Sequence, residues 1–288
     1  MSEPRPMLGK TVVITGANSG IGKATATQLA KMGATVVMAC RDKERGDAAL
    51  AEVRAASKNP AVRLMILDLA SQASVREFVR EFESRYRRLD VLVNNAGVVL
   101  NKREMTPDGI VTAFAVNYLS PFLLTNLLLP RLVASAPSRI VNVTSALHFK
   151  GHIDFKDVQV KKHYKGSKAY AESKLAIVLF TYELARRLRV IGVTANCVHP
   201  GAVGTKLARG DAGLLGAVML VTAPFLGSPE NGAATSVYLA SAPELAQVTG
   251  KYFVDKNQQV SSHESYDQLE AKELWDISMK LTKMSKAA

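Results

Sequence analysis

In the segment that leads into a predicted helix, two tyrosines are each followed by a lysine four residues later, a spacing that can support proton transfer. The pairs are Tyr164/Lys168 and Tyr170/Lys174. On a helix, residues four apart share a face, and a nearby ammonium lowers the pKa of a phenol from its usual value of about 10. Ser167 is a candidate N-cap, which would leave Tyr164 outside the helix. We therefore predict Tyr170 as general acid or base and Lys174 as its partner, although a partly buried Tyr with a surface Lys is the plainer interpretation.

Two other polar residues stand where a reaction at Tyr170 could use them. Ser145 follows the predicted fifth strand, where its hydroxyl could hold a substrate oxygen or simply cap a turn. Asn117 interrupts an apolar helical run. It could kink the helix and hold a water behind Lys174, or be a satisfied polar group in the core.

Three glycines within a short segment follow the first predicted strand, at Gly16, Gly20 and Gly22. Glycine lets a backbone turn sharply and approach a pyrophosphate closely. The following helix offers unpaired N–H groups and the positive end of its dipole. A bare strand-to-helix turn is the alternative, but the clustering of the glycines favours a phosphate-binding turn.

The second predicted strand ends with Arg41 and Asp42. An acidic side chain about 20 residues past the glycines would bind a ribose 2′-hydroxyl, whereas an arginine would suit a 2′-phosphate. Asp42 is also explained as the N-cap of the next helix, and the Arg41 guanidinium offers a planar set of donors. The spacing alone leaves both cofactors open, with Arg41 as the better phosphate contact.

Small or polar residues end three further predicted strands. Asp68 could face a ligand at the carboxyl edge of a parallel sheet, or cap the next helix. In Asn94-Asn95-Ala96-Gly97, the amides could brace a turn and the small residues would let a flat ring or ribose lie close. After the sixth strand, Pro200-Gly201 shapes a loop that could cover the redox ring of a cofactor.

Short apolar runs alternate with longer amphipathic segments, which predicts an α/β fold. Strand-like runs lie at residues 11–14, 35–38, 64–67, 91–93, 140–143, 193–196 and 252–254, and helix-like segments at 20–32, 43–57, 71–88, 107–134 and 168–190. The strand-like runs are continuously apolar, as in strands covered on both faces. We predict one doubly wound, Rossmann-type parallel sheet with helices on both faces, in a single domain over residues 1–288.

The composition is ordinary except for its charge. The chain has 288 residues, of which 48% are hydrophobic, and a formal net charge of +12. That excess raises nucleic acid, a membrane surface or an anionic cofactor as partners, but without a nucleic-acid reader motif we predict no nucleic-acid partner. Two cysteines cannot form a disulfide framework, and no metal site is predicted. The uncharged stretch 109–130 is interrupted by polar residues and proline, which predicts a poor membrane span.

Together these residues resemble the short-chain dehydrogenase/reductases. The shared pattern is Thr15-Gly16-x-x-x-Gly20-x-Gly22, Asn94-Asn95-Ala96-Gly97, Asn117, Ser145, Tyr170-x-x-x-Lys174 and Pro200-Gly201, within about residues 8–255. The stretches 39–42, 168–175 and 199–201 resemble the retinol dehydrogenase-like branch. The separation of 25 residues between Ser145 and Tyr170 also fits that branch.

The resemblance implies a role for each residue. Tyr170 would be the acid in carbonyl reduction and the base in alcohol oxidation, and Lys174 would bind the nicotinamide ribose. Ser145 would hold the substrate oxygen and Asn117 would support a proton relay. The implied cofactor-binding residues are Gly16, Ser19, Gly20, Ile21, Gly22, Arg41, Asp68, Leu69, Asn95, Ala96, Gly97, Tyr170, Lys174, Pro200, Gly201, Val203 and Thr205. Arg41, beside Cys40 where NAD-preferring relatives carry an acid, implies NADP(H) over NAD(H).

The resemblance also implies a substrate lid at residues 205–228, and residues 260–288 are expected to form a helical extension. An apolar lid would cover a hydrophobic substrate, with a subunit-contact helix and shallow membrane contact as alternatives. We expect an NADP(H)-dependent oxidoreductase that interconverts a hydrophobic alcohol and its aldehyde or ketone, the alternative being a non-catalytic dinucleotide-binding regulator. Family members commonly pair through helices near 109–134 and 168–190, so a homo-oligomer is open. The polar first residues favour a cytoplasmic protein.

Overall fold

Runs of β-branched and apolar residues form the strands of one sheet in this computed structural model, which describes residues 5–201 and 228–284. The strands in the described ranges are β1 (Thr11–Thr15), β2 (Thr35–Cys40), β3 (Val62–Ile66), β4 (Val91–Asn94), β5 (Ser138–Val143), β6 (Val193–His199), β7 (Tyr252–Val254) and β8 (Asn257–Gln259). They pair in the order β3-β2-β1-β4-β5-β6-β7-β8. The first seven run parallel, and β8 returns antiparallel to β7.

Helices connect these strands and cover the sheet. They are α1 (Gly20–Lys31), α2 (Lys43–Ser57), α3 (Gln72–Arg85), α4 (Thr112–Phe114), α5 (Ser120–Ala134), α6 (Gly166–Arg187), α7 (Pro229–Ser241) and α8 (Gln268–Leu281). The order of the strands reverses between β1 and β4, and ligands of such sheets bind beyond the carboxyl ends of the strands at that point. The predicted doubly wound, Rossmann-type fold is confirmed.

Alternate residues of the central strands face two separate apolar layers. Val12 and Ile14 pack in the layer that contains Leu29 of α1. Val13 packs in the opposite layer, with Phe122 of α5. All of these side chains are fully buried, so both faces of β1 are covered, as its continuous apolar sequence predicts.

The helix that precedes β5 contains a distortion at Asn117. Between α4 and α5, residues Ala115–Leu119 form a π turn, and the N–H of Ser120 bonds to the carbonyl of Ala115. Pro121 has no N–H to donate to the carbonyl of Asn117 four residues earlier, so regular α-helical bonding fails at this point. A kink is one of the two alternatives for Asn117; the structure shows a π turn there, and Pro121 supplies a physical reason for it.

Residues Thr112–Ala134 form the only helix, among the described residues, that is long and apolar enough to span a membrane. About three-quarters of its apolar stretch (72%) is nevertheless buried inside the fold. The exposed hydrophobic surface that a lipid-facing helix needs is therefore largely used in protein packing.

The C-terminal helix α8 packs on the sides of α5 and α6. The Trp275 ring lies 5.0 Å from the Phe122 ring and 5.9 Å from the Phe180 ring, centroid to centroid. The Arg187 guanidinium sits 4.1 Å from the centroid of Trp275. Residues from Ala169 to Ala185 of α6 are all buried. The helices at which we expected subunits to meet thus have apolar partners within their own chain.

Several predicted boundaries need correction. The third strand begins two residues earlier than expected, and as an edge strand it leaves Ile66 at 42% exposure. The helix α6 begins at Gly166 rather than after Ser167, and its N-cap is Lys165. A Cβ at Gly166 would collide with the carbonyl oxygen of Leu100, so close packing rather than helix propensity selects this glycine. Of the predicted lid at 205–228, all but Ser228 lies outside the described residues.

Candidate active site

The turn between β1 and α1 forms one end of a cleft of about 740 Å³. Gly16 and Gly20 have φ values of +67° and +53°, in the left-handed region that glycine enters without strain. Ser19 is the N-cap of α1, and within the described residues its hydroxyl makes no capping bond. The first N–H groups of α1, at Gly20, Ile21 and Gly22, lack intrahelical acceptors. Since these residues line the cleft, the turn offers donors and a positive dipole end to an anion.

Hydrogen bonds between Thr15 and the residues after β4 fix the shape of this turn. The Asn95 side chain donates from Nδ2 to the Thr15 carbonyl at 2.8 Å, and the Thr15 hydroxyl accepts the N–H groups of Asn95 and Ala96 at 3.0 Å each. A Cβ at Gly22 would collide with the carbonyl oxygen of Gly16 and lie 2.5 Å from Asn95 Nδ2. These hydrogen bonds therefore hold the ends of β1 and β4 together. At Gly22, in the first turn of α1, there is no room for a side chain.

At the end of β2, two arginines line the cleft. They are Arg41 and Arg45, both exposed. The Asp42 carboxylate accepts the Arg45 backbone N–H at 3.0 Å as N-cap of α2, which confirms the capping interpretation of Asp42. Cys40 is buried, and burial raises the pKa of its thiol to about 12. A neutral thiol therefore stands where a carboxylate would bind a ribose hydroxyl.

The predicted residues after β3 and β6 also line the cleft. Asp68 accepts the Ala70 N–H at 2.9 Å, so its carboxylate helps to form the local turn. Leu69 is buried, and its carbonyl accepts the hydroxyl of Ser120 at 2.6 Å. The other predicted cofactor residues that line the cleft are Gly16, Ser19, Gly20, Ile21, Gly22, Arg41, Asn95, Ala96, Gly97, Tyr170, Lys174, Pro200 and Gly201. Val203 and Thr205 lie outside the described residues.

Tyr170 and Lys174 lie one turn apart on α6, and both are buried in the cleft wall. Lys174 Nζ is 5.6 Å from the centroid of the Tyr170 ring and donates to the Val143 carbonyl at 3.0 Å. Gly97 keeps the space beside it open, since a Cβ there would lie 3.3 Å from Nζ. Tyr164, the rejected alternative, precedes α6 and donates its hydroxyl to the carbonyl of Leu100.

The direction of the Tyr170 pKa shift differs from the expectation. Burial raises the pKa of Tyr170 to about 12, while its hydrogen bond with Ser145 acts in the opposite direction. Burial also lowers the pKa of Lys174 to about 8, because removal from water disfavours the ammonium. The sequence shows a lysine near the phenol but not how deeply both are buried, and in this structure burial is the largest influence on both pKa values.

Ser145 meets Tyr170 from the end of β5. It is the N-cap of a 3₁₀ turn, Ala146–Lys150, and its Oγ accepts the Leu147 N–H at 3.2 Å. The same side chain lies close enough to the Tyr170 phenol to oppose the rise in its pKa. The capping alternative for Ser145 is confirmed, and its role in holding a substrate oxygen stays a prediction.

Asn117 lies behind the cleft wall. Its Oδ1 accepts the Val98 N–H at 2.7 Å, and its Nδ2 donates to the Val98 carbonyl at 2.9 Å and to Ser173 Oγ at 3.0 Å. A Cβ at Gly97 would lie 3.4 Å from Asn117 Oδ1. The side chain is therefore a satisfied polar group that ties the loop after β4 to α6.

Sequence reasoning missed three residues that shape the site. Thr15 braces the phosphate turn, Arg45 adds a second cation at the end of β2, and Pro121 accounts for the π turn at Asn117. The proline four residues after Asn117 was readable in the sequence. The contacts of Thr15 with Asn95 and Ala96 and the position of Arg45 in the cleft depend on how neighbouring strands and helices meet, and no local spacing reports that.

The residues of the cleft fit a dinucleotide. The glycine turn after β1, the N-terminus of α1 and the two arginines after β2 suit phosphates. The small pair Ala96 and Gly97 suits a ribose near Lys174. No group of three His, Cys, Asp or Glu side chains able to hold a metal occurs among residues 5–201 and 228–284.

Comparisons with known proteins show the family to which the chain belongs. The model of the short chain dehydrogenase family matches residues 10–212. Retinol dehydrogenase 13 of Mus musculus is 47% identical over 287 residues, which covers 97% of this chain and 85% of the mouse protein.

Solved structures share the same fold. The crystal structure of an uncharacterised protein from Mycobacterium paratuberculosis has a TM-score of 0.79 and 33% identity, and it covers 98% of this chain and 96% of its own. The Pseudomonas aeruginosa RhlG/NADP active-site complex has a TM-score of 0.70 and 25% identity, with 91% and 99% covered. The resemblance drawn from the motifs is confirmed: the chain belongs to the short-chain dehydrogenase family, in its retinol dehydrogenase-like branch.

Proposed function

We propose that this protein is an NADP(H)-dependent oxidoreductase that interconverts a hydrophobic alcohol and its aldehyde or ketone. The observation that carries the proposal is the meeting of three groups in one cleft. The Tyr170 phenol faces the Ser145 hydroxyl, and Lys174 lies one turn away, at the far end of the cleft from the phosphate-binding turn. A non-catalytic regulator would need the phosphate turn but not these three groups.

Proton transfer falls to Tyr170. In carbonyl reduction the phenol gives its proton to the substrate oxygen while the Ser145 hydroxyl holds that oxygen, and in alcohol oxidation the phenolate takes the proton back. The raised pKa of Tyr170 keeps the phenol protonated at neutral pH, which suits the acid role. Lys174, held by the Val143 carbonyl, offers its charge to the phenolate form. The chemistry that a bound nicotinamide cofactor supplies is donation or acceptance of a hydride.

A preference for NADP(H) is supported by the end of β2. Arg41 and Arg45 both line the cleft there, and the nearby carboxylate of Asp42 is committed to capping α2. Guanidinium groups suit a 2′-phosphate, whereas the buried neutral thiol of Cys40 gives a ribose hydroxyl no charged acceptor.

A hydrophobic substrate is supported by the wall of the cleft near Tyr170. The apolar side chains that line it are Val98, Val99, Leu100, Val116 and Leu147. Such a wall favours an alkyl or polyene chain over a polar substrate. The name of the mouse relative makes retinol and retinal part of the first substrate panel. A cytoplasmic location and a homo-oligomer remain predictions.

The test is direct. Purified protein is mixed with NADPH and, in turn, hexanal, decanal and all-trans-retinal, and cofactor absorbance is followed. We expect turnover of at least one aldehyde, with the matching alcohol oxidised when NADP⁺ is supplied. Protein that binds NADPH but reduces none of the carbonyls and oxidises none of the alcohols would contradict the oxidoreductase proposal and favour the regulator.

The cofactor preference has its own test. Dissociation constants for NADPH and NADH are measured for wild type, Arg41→Ala and Arg45→Ala. Lys43→Ala serves as a matched control, because Lys43 pairs with Asp47 on the same helix and is not part of the cleft lining. We expect each arginine variant to weaken NADPH binding about tenfold, with NADH nearly unaffected. Equal loss for both cofactors would remove these arginines from a 2′-phosphate role.

A further inference from the structure

His148 is a fully buried polar residue that the proposed mechanism leaves unused. It belongs to the 3₁₀ turn Ala146–Lys150, three residues after Ser145. Its Nδ1 lies 2.7 Å from the Ser145 carbonyl oxygen, and its Nε2 lies 3.1 Å from the backbone N of Ser262. A histidine bonded at both ring nitrogens and shielded from water is held in one orientation.

The partners of the ring determine its protonation. The Ser145 carbonyl can only accept, so Nδ1 carries the hydrogen. The Ser262 N–H can only donate, so Nε2 is the bare acceptor. Burial lowers the pKa of His148, whereas the Ser145 carbonyl and the Glu264 carboxylate act in the opposite direction. The ring is therefore neutral and satisfied on both sides.

His148 holds the Ser145 backbone in place through two hydrogen bonds. Its carbonyl accepts both the His148 ring N–H and the His148 backbone N–H, the latter at 3.0 Å. The ring is itself wedged against Tyr252 of β7, with centroids 5.0 Å apart. A rotation of the Ser145 peptide would break two hydrogen bonds and disturb a packed ring, so the Ser145 backbone is fixed by His148.

Through Nε2 and the segment that contains Ser262, His148 is also linked to α6, the helix that carries Tyr170. Ser262 follows Ser261, whose hydroxyl bonds with the Tyr182 hydroxyl of α6 at 2.7 Å. Tyr182 also stacks on Tyr266 at 5.4 Å between centroids. A closed circuit of contacts thus runs from Tyr170 along α6 to the C-terminal segment, across His148 and back to Ser145.

We propose that His148 is a positioning residue: through this circuit its neutral ring holds the Ser145 hydroxyl against the Tyr170 phenol in the reacting geometry. This inference rests on the proposed function, because it assigns His148 to the same reaction. A hydroxyl that must meet the reacting oxygen tolerates little displacement, and small misplacements have large effects on rate. The C-terminal segment thereby becomes part of the catalytic apparatus without contacting the substrate.

The experiment uses His148→Phe, His148→Asn and Ser145→Ala, alone and combined, in the full chain. Phenylalanine keeps the ring packing and removes both hydrogen bonds. Asparagine can place Nδ2 where Nδ1 donates to Ser145, but it does not reach Ser262. With NADPH and the aldehyde that wild type reduces fastest, we expect His148→Phe to lower kcat at least tenfold, and His148→Asn to stay within about threefold of wild type. The dissociation constant for NADPH should stay the same in both variants.

The double variant separates positioning from general damage. If His148 acts through Ser145, adding His148→Phe to Ser145→Ala should lower kcat little further, because the positioned hydroxyl is already absent. Fully multiplicative effects, a His148→Phe enzyme with wild-type kcat, or parallel loss of kcat and NADPH binding would each overturn the inference. If His148→Phe does not fold, the folded His148→Asn variant provides the test. A tenfold or larger loss of kcat in that variant would overturn the inference, because its side-chain amide can still donate to Ser145. Wild type without turnover contradicts the proposed function instead.

Discussion

The two ends of the cleft are built by different means. The phosphate end is formed by one turn of backbone, Gly16 to Gly22. Asn95, which follows the neighbouring strand β4, donates a hydrogen bond to the Thr15 carbonyl just before this turn. The catalytic end brings together Ser145, Asn117 and Tyr170 from three separate elements. Its supports come from still further along the chain, through bonds such as His148 to Ser262 and Tyr118 to Ser278, the latter at 2.7 Å.

This difference follows from what each end must do. Phosphates are bound by N–H groups and a dipole that any correctly shaped turn supplies, so local sequence suffices. Proton transfer needs side-chain atoms held in a precise arrangement, and single loops rarely provide that rigidity. We therefore expect changes at the phosphate end to act on cofactor binding, and changes at the catalytic end to act on kcat.

The largest expected effect is at the centre of the catalytic end. Tyr170→Phe should lower kcat about 1,000-fold, because the phenol that we propose as the proton donor is removed. NADPH binding, measured by titration, should stay close to wild type. Tyr164→Phe is the matched control, since Tyr164 is not part of the cleft lining and its phenol bonds to the Leu100 carbonyl, and it should keep most of the activity. Comparable losses in the two variants would break the assignment of Tyr170.

Next in size is the support from α8. Trp275→Ala should lower the free energy of unfolding by about 3–5 kcal/mol, because a large aromatic side chain is removed from a packed cluster. Urea denaturation measures this, with Leu269→Ala as a control on the same helix, where the side chain is 80% exposed. In folded protein, kcat should fall while the NADPH dissociation constant is unchanged. Loss of NADPH binding with an unchanged kcat would contradict the claim that α8 supports the catalytic end of the cleft rather than the phosphate end.

A smaller effect is expected at the phosphate end. Gly22→Ala should weaken NADPH binding about tenfold or more, since the new Cβ collides with Gly16 and Asn95 and must displace the turn. At saturating NADPH, kcat should be nearly restored. Gly109→Ala is the control: its φ of +71° disfavours alanine, but no atom lies within 4 Å of the added Cβ. A kcat defect that saturation does not relieve would show that the two ends are not separable.

The smallest effect tests the burial of α6. Glu172 is 7% exposed beside Lys168, and burial raises the pKa of its carboxyl to about 7. The folded protein therefore binds more protons than the unfolded chain between about pH 4.5 and pH 7, and stability falls as pH rises through that window. Glu172→Gln should stabilise by about 1–2 kcal/mol at pH 8 and give little gain at pH 5.

Thermal or urea unfolding at the two pH values measures the effect, with Glu273→Gln on the exposed face of α8 as control. An equal gain from Glu172→Gln at both pH values would contradict the buried, titrating carboxylate.

Much of the fold and of the cleft could be predicted, because both depend on patterns that are local in the chain. Continuous apolar runs gave the parallel sheet, and the glycines after β1 gave the phosphate turn. The choice of Tyr170 over Tyr164 rested on a helix start that the structure moves by only a residue or two. The direction of the Tyr170 pKa was wrong, because burial depends on everything packed around α6.

The sequence by itself determined which residues could carry chemistry: a tyrosine and lysine at helical spacing, a serine at a strand end, and an arginine after the second strand. These follow from the periodicity of strands and helices, which neighbouring residues encode. Only the tertiary structure decided that His148 joins Ser145 to Ser262, that α8 covers α5 and α6, and that burial governs the protonation of Tyr170. The His148–Ser262 and Phe122–Trp275 contacts join residues more than 100 positions apart, so no local pattern records them.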